Sequence, residues 1–343
     1  MSTRKVAVVG AGAWGTALAT VLGRKGVAVD LWVYEPDLAQ RMAVTRENDL
    51  YLPGHRIPDS VRPTNDLEEA VSGAWVVVSV TPSQVVRQVM TRAAGAIEAD
   101  AWVVTASKGI EMGSLRLMHE VLCEALPPGF EGRIAALSGP SFAAEVAQAM
   151  PTAVSLACRD PEAAGRLQEL FSDRRFRVYT LDDIVGVETG GALKNVVALA
   201  AGISDGLGFG HNSRAALITR GLAEISRLGV ALGADPLTFL GLAGMGDLVL
   251  TCTGGLSRNR TVGLRLGHGE PLDEILGSMR AVAEGVKTAG AAVELARRQG
   301  VEMPIAETVW DVVEGRLEPR QGVARLMGRP AKREFWDLET PPA

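Results

Sequence analysis

Cysteine is scarce in this chain, with three residues, Cys123, Cys158 and Cys252, among 343. They form no Cys-x-x-Cys pair, and the odd count leaves one outside any disulfide scheme, so a reduced, cytoplasmic setting is expected. Histidine is as thinly spread: His55, His119, His211 and His268 show no ligand spacing, and no metal site is expected. Aromatic residues make up only 5% while glycine reaches 39 residues, a balance suited to tight turns and close helix contacts rather than a β-sandwich. Positive charge is not in excess. The net charge of −5 argues against nucleic acid or an anionic membrane surface as a partner. No uncharged apolar run approaches the ~20 residues of a membrane span. The apolar start at KVAVVG runs into glycines with a role in the fold, which argues against a signal peptide.

The remaining composition, 47% apolar and 22% charged, is that of an ordinary globular enzyme, and the length suits two domains. Short β-branched runs (KVAVVG, VDLWVY, WVVVSV, WVVTAS, IAALSG, AVSLA) alternate with helical stretches such as WGTALATVLGRKG and PSQVVRQVMTRAAGAI. Fully apolar strands separated by amphipathic helices predict a parallel sheet covered on both faces. From Asp182 onward the period is helical. The expected division is therefore 1–181 for an α/β domain and 182–335 for an all-helical one, with FWDLETPPA as a tail.

The first strand leads into GAGAWG, placing Gly10, Gly12 and Gly15 at the spacing of a dinucleotide-binding turn. Gly10 permits the turn, Gly12 allows a pyrophosphate close to the backbone, and Gly15 lets the helix pack on the sheet. The helix N-terminus adds amide donors and the positive end of its dipole. Glu35 ends the second strand 20 residues after Gly15, about where an acid meets the adenine-ribose hydroxyls. With strand, helix and acid in register, the fold expected is a Rossmann-type doubly wound parallel sheet followed by an all-helical domain. Glu35 would repel a 2′-phosphate and so favours NAD. Tyr34 either stacks on adenine or is a surface aromatic at a strand end.

Hydride transfer to a ketone needs a proton donor for the developing alkoxide. Two lysines stand out. Lys108, in TASKGIE, follows the fourth strand-like run, where a parallel sheet binds its ligands. Lys194 lies in VETGGALKNVVALAAG, a helix otherwise apolar or small. An ammonium there is either desolvated and lowered in pKa for catalysis, or snorkels to the surface. A second patch, GLAGMGDLVLTCTGGLSRNRTVG, gathers glycines, hydroxyls and Ser257, Arg258, Asn259 and Arg260. Arginine forks and amides on flexible glycine backbone suit a phosphate, although a solvated polar loop has the same composition.

Together, GAGAWGTALA, YLPG, SKGIE, SGPSFAAEVA, ETGGALKNVVALAAGISDGLGFG, GLAGMGDLVLTCTGGLSRNR and EGVKTA resemble NAD(P)-dependent glycerol-3-phosphate dehydrogenases of the bacterial type, from the glycine turn to about residue 330. The resemblance implies Lys194 as proton donor and acceptor, with Lys108, Gly139 and Ser141 beside substrate or nicotinamide. It implies Asn195, Asp247, Ser257, Arg258 and Asn259 as substrate contacts, with Arg258 also near the cofactor. Ala13, Trp14, Ala143, Val282 and Glu284 are implied as cofactor neighbours. Two positions depart from the pattern: Tyr34 stands where relatives commonly have His or Arg, and His211 where an acid is usual.

The expected activity is reversible reduction of dihydroxyacetone phosphate to sn-glycerol 3-phosphate with NAD or NADP as cofactor, supplying glycerophospholipid synthesis, in a homo-oligomer. Two rivals share parts of this pattern. A 3-hydroxyacid dehydrogenase of the 6-phosphogluconate type has a similar plan and a helix lysine but should lack the SRNR loop. A non-catalytic NADH sensor would not need two lysines beside a phosphate patch.

Overall fold

The computed structural model describes residues 5–279 and 283–334. Val282 and the tail FWDLETPPA lie outside the described residues. Among the described residues ten strands occur: β1 (Lys5–Val9), β2 (Val29–Trp32), β3 (Glu47–Asn48), β4 (Leu52–Arg56), β5 (Val61–Thr64), β6 (Ala74–Ser79), β7 (Trp102–Thr105), β8 (Ile134–Ser138), β9 (Thr152–Ala157) and β10 (Phe176–Leu181). Eight of them form one sheet in the order β10-β9-β8-β7-β6-β1-β2-β5, while β3 and β4 pair by themselves. The chain leaves β1 toward β2 and β5, then returns to build β6 on the other side of β1. This reversal makes β1/β6 the switch point, with a crevice at the carboxyl ends of the strands.

Apolar strands form here because both faces are covered. Val6 and Val8 of β1 pack with Leu18 and Leu22 on one side, while Ala7 and Val9 meet the cluster of Val86 and Met90 on the other. Two features differ from what the strand-like runs predict. The strands β5 and β10 lie at the edges, and their mixed sequences VRPT and FRVYTL carry no continuous apolar run. The pairing of β8 with β9 is antiparallel. Their link contains one short helix, Ala143–Ala147. Five helical residues rise only ~7.5 Å, less than the ~17 Å length of a typical strand. The helix therefore cannot carry the chain back for a parallel return.

After Leu181 every described element is helical. The longest helix, Ile184–Gly206, is capped by Asp183, whose carboxylate accepts the Gly186 N–H at 2.8 Å. It is long and apolar enough to cross a membrane, but 94% of its apolar segment is buried inside the protein. It is the core of the helical half. Gly202 and Gly206 face Gly263 and Gly267 on the helix Arg258–Gly267. A Cβ on Gly202 would lie 2.1 Å from the Arg260 carbonyl, and one on Gly263 would lie 2.2 Å from that of Leu199. Only a bare backbone on both helices permits this approach.

Candidate active site

At the switch point Gly10 takes φ +121° after β1, and a Cβ on Gly15 would lie 1.9 Å from the Gly10 carbonyl. The helix Ala13–Arg24 thus rests directly on the turn. A Cβ on Gly12 would meet nothing within 4 Å, so the start of this helix faces open space. Ala13, Trp14 and Ala143 are partly buried against the same core. The Trp14 ring lies 6.4 Å from that of Phe176, and its Nε1 is buried without a hydrogen-bond partner.

Glu35 follows β2 and accepts a hydrogen bond from the Tyr51 hydroxyl at 2.7 Å. Tyr34 is 70% exposed and edge-on to Trp32 at 6.1 Å. These two residues stand apart from the lysines. In the sheet order β6 and β1 lie between β2 and β7, so three strand spacings, roughly 14 Å, separate them.

Lys108 follows β7 and Lys194 sits inside the long helix, yet the fold brings them onto one carboxylate. Asp247 Oδ2 accepts from Lys108 Nζ at 2.7 Å, and Asp247 Oδ1 accepts from Lys194 Nζ. Lys194 also donates to Thr251 Oγ1 at 3.0 Å, one helical turn after Asp247. Lys194 is 7% exposed and Asp247 1%. Burial lowers the Lys194 pKa from 10.5 to about 7, with Asp247 opposing the shift and Lys108 adding to it. Burial pushes the Asp247 carboxyl up, but the two lysines more than reverse this and leave it below its ordinary value. The snorkelling alternative for Lys194 is overturned: its ammonium points inward to a partner 53 residues away. Asp247 itself follows a single wide turn of π type, Leu242–Gly246, in which Gly246 N–H donates to the Gly241 carbonyl. Such turns often mark functional positions.

Gly139 follows β8. Its carbonyl accepts from Ser141 Oγ at 2.9 Å and from Lys108 Nζ at 3.4 Å. The SRNR segment is the start of a helix rather than a flexible loop, because Ser257 caps it by accepting the Arg260 N–H at 3.2 Å. Arg260 turns away to Asp205, with Nη2 at 2.7 Å from its carboxylate. The sequence pair of arginines is thus split, and Arg258 alone remains at the helix start. It is open to solvent, though crowding by protein atoms lowers its pKa against the opposing charge of Glu284. Asn259 Nδ2 donates to Asn195 Oδ1 at 2.9 Å, and Asn259 Oδ1 accepts the Gly285 N–H at the same distance.

Glu284 accepts from Ser83 Oγ at 2.7 Å, joining the start of the helix Glu284–Arg298 to the segment after β6. Burial raises the Glu284 pKa, opposed by Ser83 and Arg258. Sequence reasoning missed Thr251 and Ser83. The first had a signal, its i+4 spacing from Asp247; the second had none.

Comparison with known proteins adds the family. The model described as NAD-dependent glycerol-3-phosphate dehydrogenase N-terminus matches residues 5–164, and that of the C-terminus matches 183–324. A Geobacter metallireducens protein named glycerol-3-phosphate dehydrogenase [NAD(P)+] is 59% identical over 330 residues, covering 96% of this chain and 98% of the relative. A Geobacter sulfurreducens protein of the same name is 56% identical, covering 97% and 100%. The crystal structure of glycerol-3-phosphate dehydrogenase from Coxiella burnetii superimposes with a TM-score of 0.90 at 42% identity, covering 95% and 99%. D-mandelate dehydrogenase, at 14% identity and a TM-score of 0.62, shares the fold alone. With a two-lysine carboxylate cluster at the sheet's carboxyl edge and both family models matched across its halves, this chain belongs to the NAD-dependent glycerol-3-phosphate dehydrogenase family.

Proposed function

We propose that the chain reversibly reduces dihydroxyacetone phosphate to sn-glycerol 3-phosphate with a nicotinamide cofactor, supplying glycerophospholipid synthesis. The observation that carries this reading is Lys194, held by Asp247 beside Lys108 with a pKa of about 7. A group that titrates near neutrality both gives and takes a proton readily. The assigned division of labour is 1–181 for the cofactor and 182–335 for the substrate, and the three free cysteines suit a reducing cytoplasm.

The open helix start at Gly12 and the unpartnered Trp14 Nε1 fit a bound dinucleotide. Gly10, Gly12, Ala13, Trp14 and Gly15 would hold its pyrophosphate, Glu35 its ribose, and Ala143 and Glu284 its flanks. When bound, the cofactor supplies the hydride. Lys194 protonates the ketone oxygen as negative charge develops, and Lys108 stabilises that charge electrostatically. Asp247 keeps both ammonium groups aimed into the crevice. Arg258 and the amides at its helix start would take the substrate phosphate, where helix dipole and guanidinium act together. Asn195 and Asn259, locked to each other, would present their remaining polar atoms to the substrate. Ser257 and Gly139 shape the walls, and Ser141 borders them.

The test compares dihydroxyacetone phosphate with dihydroxyacetone. Wild-type protein should oxidise NADH with the phosphate ester and only poorly without it. Arg258→Ala should lose roughly 10- to 150-fold in kcat/KM for the ester, the value of a charge-assisted hydrogen bond. It should hardly change the poor rate on dihydroxyacetone. Equal loss on both substrates would assign Arg258 to the fold or the cofactor.

A further inference from the structure

Between the carboxyl ends of β7 and β8 and the long helix lies a cavity of about 10 Å³, walled by Thr105, Ser107, Lys108, Ser138, Glu188 and Gly191. That is room for one water. Thr105 Oγ1 and Ser138 Oγ, both on its wall, are buried without a hydrogen-bond partner. Buried hydroxyls in folded proteins nearly always have a partner, protein or water. Glu188 forms the far wall. Its Oε1 accepts the His119 backbone N–H at 2.8 Å, and its Oε2 lies 2.6 Å from His119 Nδ1. His119 in turn borders a surface pocket of about 300 Å³. A line of protonatable groups therefore runs from the Lys108–Asp247–Lys194 cluster to solvent, on the side away from the crevice.

We propose that this line, from His119 through Glu188 and a water in the cavity to Lys108 and Asp247, is a proton path that recharges Lys194 from solvent. The proposal rests on Lys194 being the proton donor. Each reduction moves one proton from Lys194 Nζ to the substrate oxygen and leaves a neutral amine. Lys194 is 7% exposed, so little of it meets solvent directly. Lys108 then gives a proton to the Asp247 carboxylate at Oδ2, and the transient carboxylic acid turns and hands that same proton to the Lys194 amine. The water refills Lys108, Glu188 refills the water, and His119 refills Glu188 from solvent. One solvent proton enters for each ketone reduced, and oxidation runs the same hops backward.

The surroundings favour a proton on the pair. Burial lowers the His119 pKa, but the hydrogen bond and charge of Glu188 outweigh this and leave it raised. Burial also raises that of Glu188. The charged groups facing His119 from neighbouring segments are Arg116, Glu120 and Glu124 around its own helix, Glu131 before β8, and Arg159 after β9.

The experiment follows NADH oxidation in the first turnover and in the steady state, with saturating dihydroxyacetone phosphate, at a pH below the Lys194 value of about 7. Glu188→Gln keeps the shape and an acceptor for the His119 N–H but cannot relay a proton. Its first turnover, which uses the proton already on Lys194, should match wild type. Its steady-state rate should fall roughly 10- to 100-fold, the scale of one lost proton-transfer group, with an enlarged solvent deuterium isotope effect. Added imidazole should restore the steady rate of His119→Ala through the surface pocket. Ser138→Ala, which leaves the buried pair intact, should show the same pattern more weakly. Equal slowing of both phases would make Glu188 merely structural, and unchanged phases would show that protons enter elsewhere; either overturns the path. A wild type inert toward dihydroxyacetone phosphate would instead sink the proposed function.

Discussion

Asp247 shares one carboxylate between two ammonium groups, so changing either partner should move the titration of Lys194 in a predictable direction. Reduction needs the ammonium form, so kcat should be level below the Lys194 value of about 7 and fall above it. Oxidation needs the amine and should show the mirror profile. Asp247→Asn removes the charge that holds the proton on and should shift the limb of the reduction profile to lower pH. Lys108→Met removes a competing cation and should shift it higher. Two shifts of opposite sign, read from pH–rate profiles, would be hard to explain by misfolding. A limb that stays put in both variants would mean that another group titrates. Lys194→Ala should cost roughly 100-fold or more in kcat at any pH. The sequence alone left this lysine between a surface role and catalysis, because the deciding partner is 53 residues away. Desolvation was legible from the apolar helix around it; the ion pair was not.

At the scale of elements, the proposed substrate side depends on how closely two helices approach. Gly202 and Gly263 bring Ile184–Gly206 and Arg258–Gly267 together, and with them Asn195 and Asn259. Gly263→Ala would place a Cβ 2.2 Å from a backbone carbonyl, which no side-chain rotation relieves. The helices must part, at a cost of about 1–3 kcal/mol for an overpacked contact. Denaturant melts should show that loss, and KM for dihydroxyacetone phosphate should rise more than KM for NADH. A variant as stable as wild type, with both constants unchanged, would show that the contact is slack. The spacing of Gly202 and Gly206, matched by that of Gly263 and Gly267, was visible in the sequence, but which helices they join was not. Strands were legible where both faces are covered, as in β1 and β6. They were missed at the edges, where β10 alternates buried Phe176 and Val178 with exposed Arg177 and Tyr179. The antiparallel turn into β9 left no mark in AVSLA, since an apolar run does not encode direction.

Across the whole molecule the crevice has two electrostatic ends. Lys108 and Lys194 meet on Asp247 at one end, while the end beyond β2 presents Glu35. Glu35 is held there by Tyr51, whose hydroxyl keeps its proton because the bond to that carboxylate pushes its pKa up to about 12. A fixed negative charge accepts hydrogen bonds from ribose hydroxyls and repels a 2′-phosphate. Beside it stands Tyr34, 70% exposed and not a cationic residue. The protein should therefore give a higher kcat/KM with NADH than with NADPH, although relatives carry both cofactors in their name. Glu35→Gln preserves the Tyr51 contact and removes only the charge. It should narrow the ratio by roughly tenfold, the lower range for a hydrogen bond to a charged group, chiefly by lowering KM for NADPH. Steady-state kinetics with both cofactors decide the matter. A wild type that prefers NADPH, or a ratio unmoved by Glu35→Gln, would mean that selection lies in groups other than the acid at the end of β2.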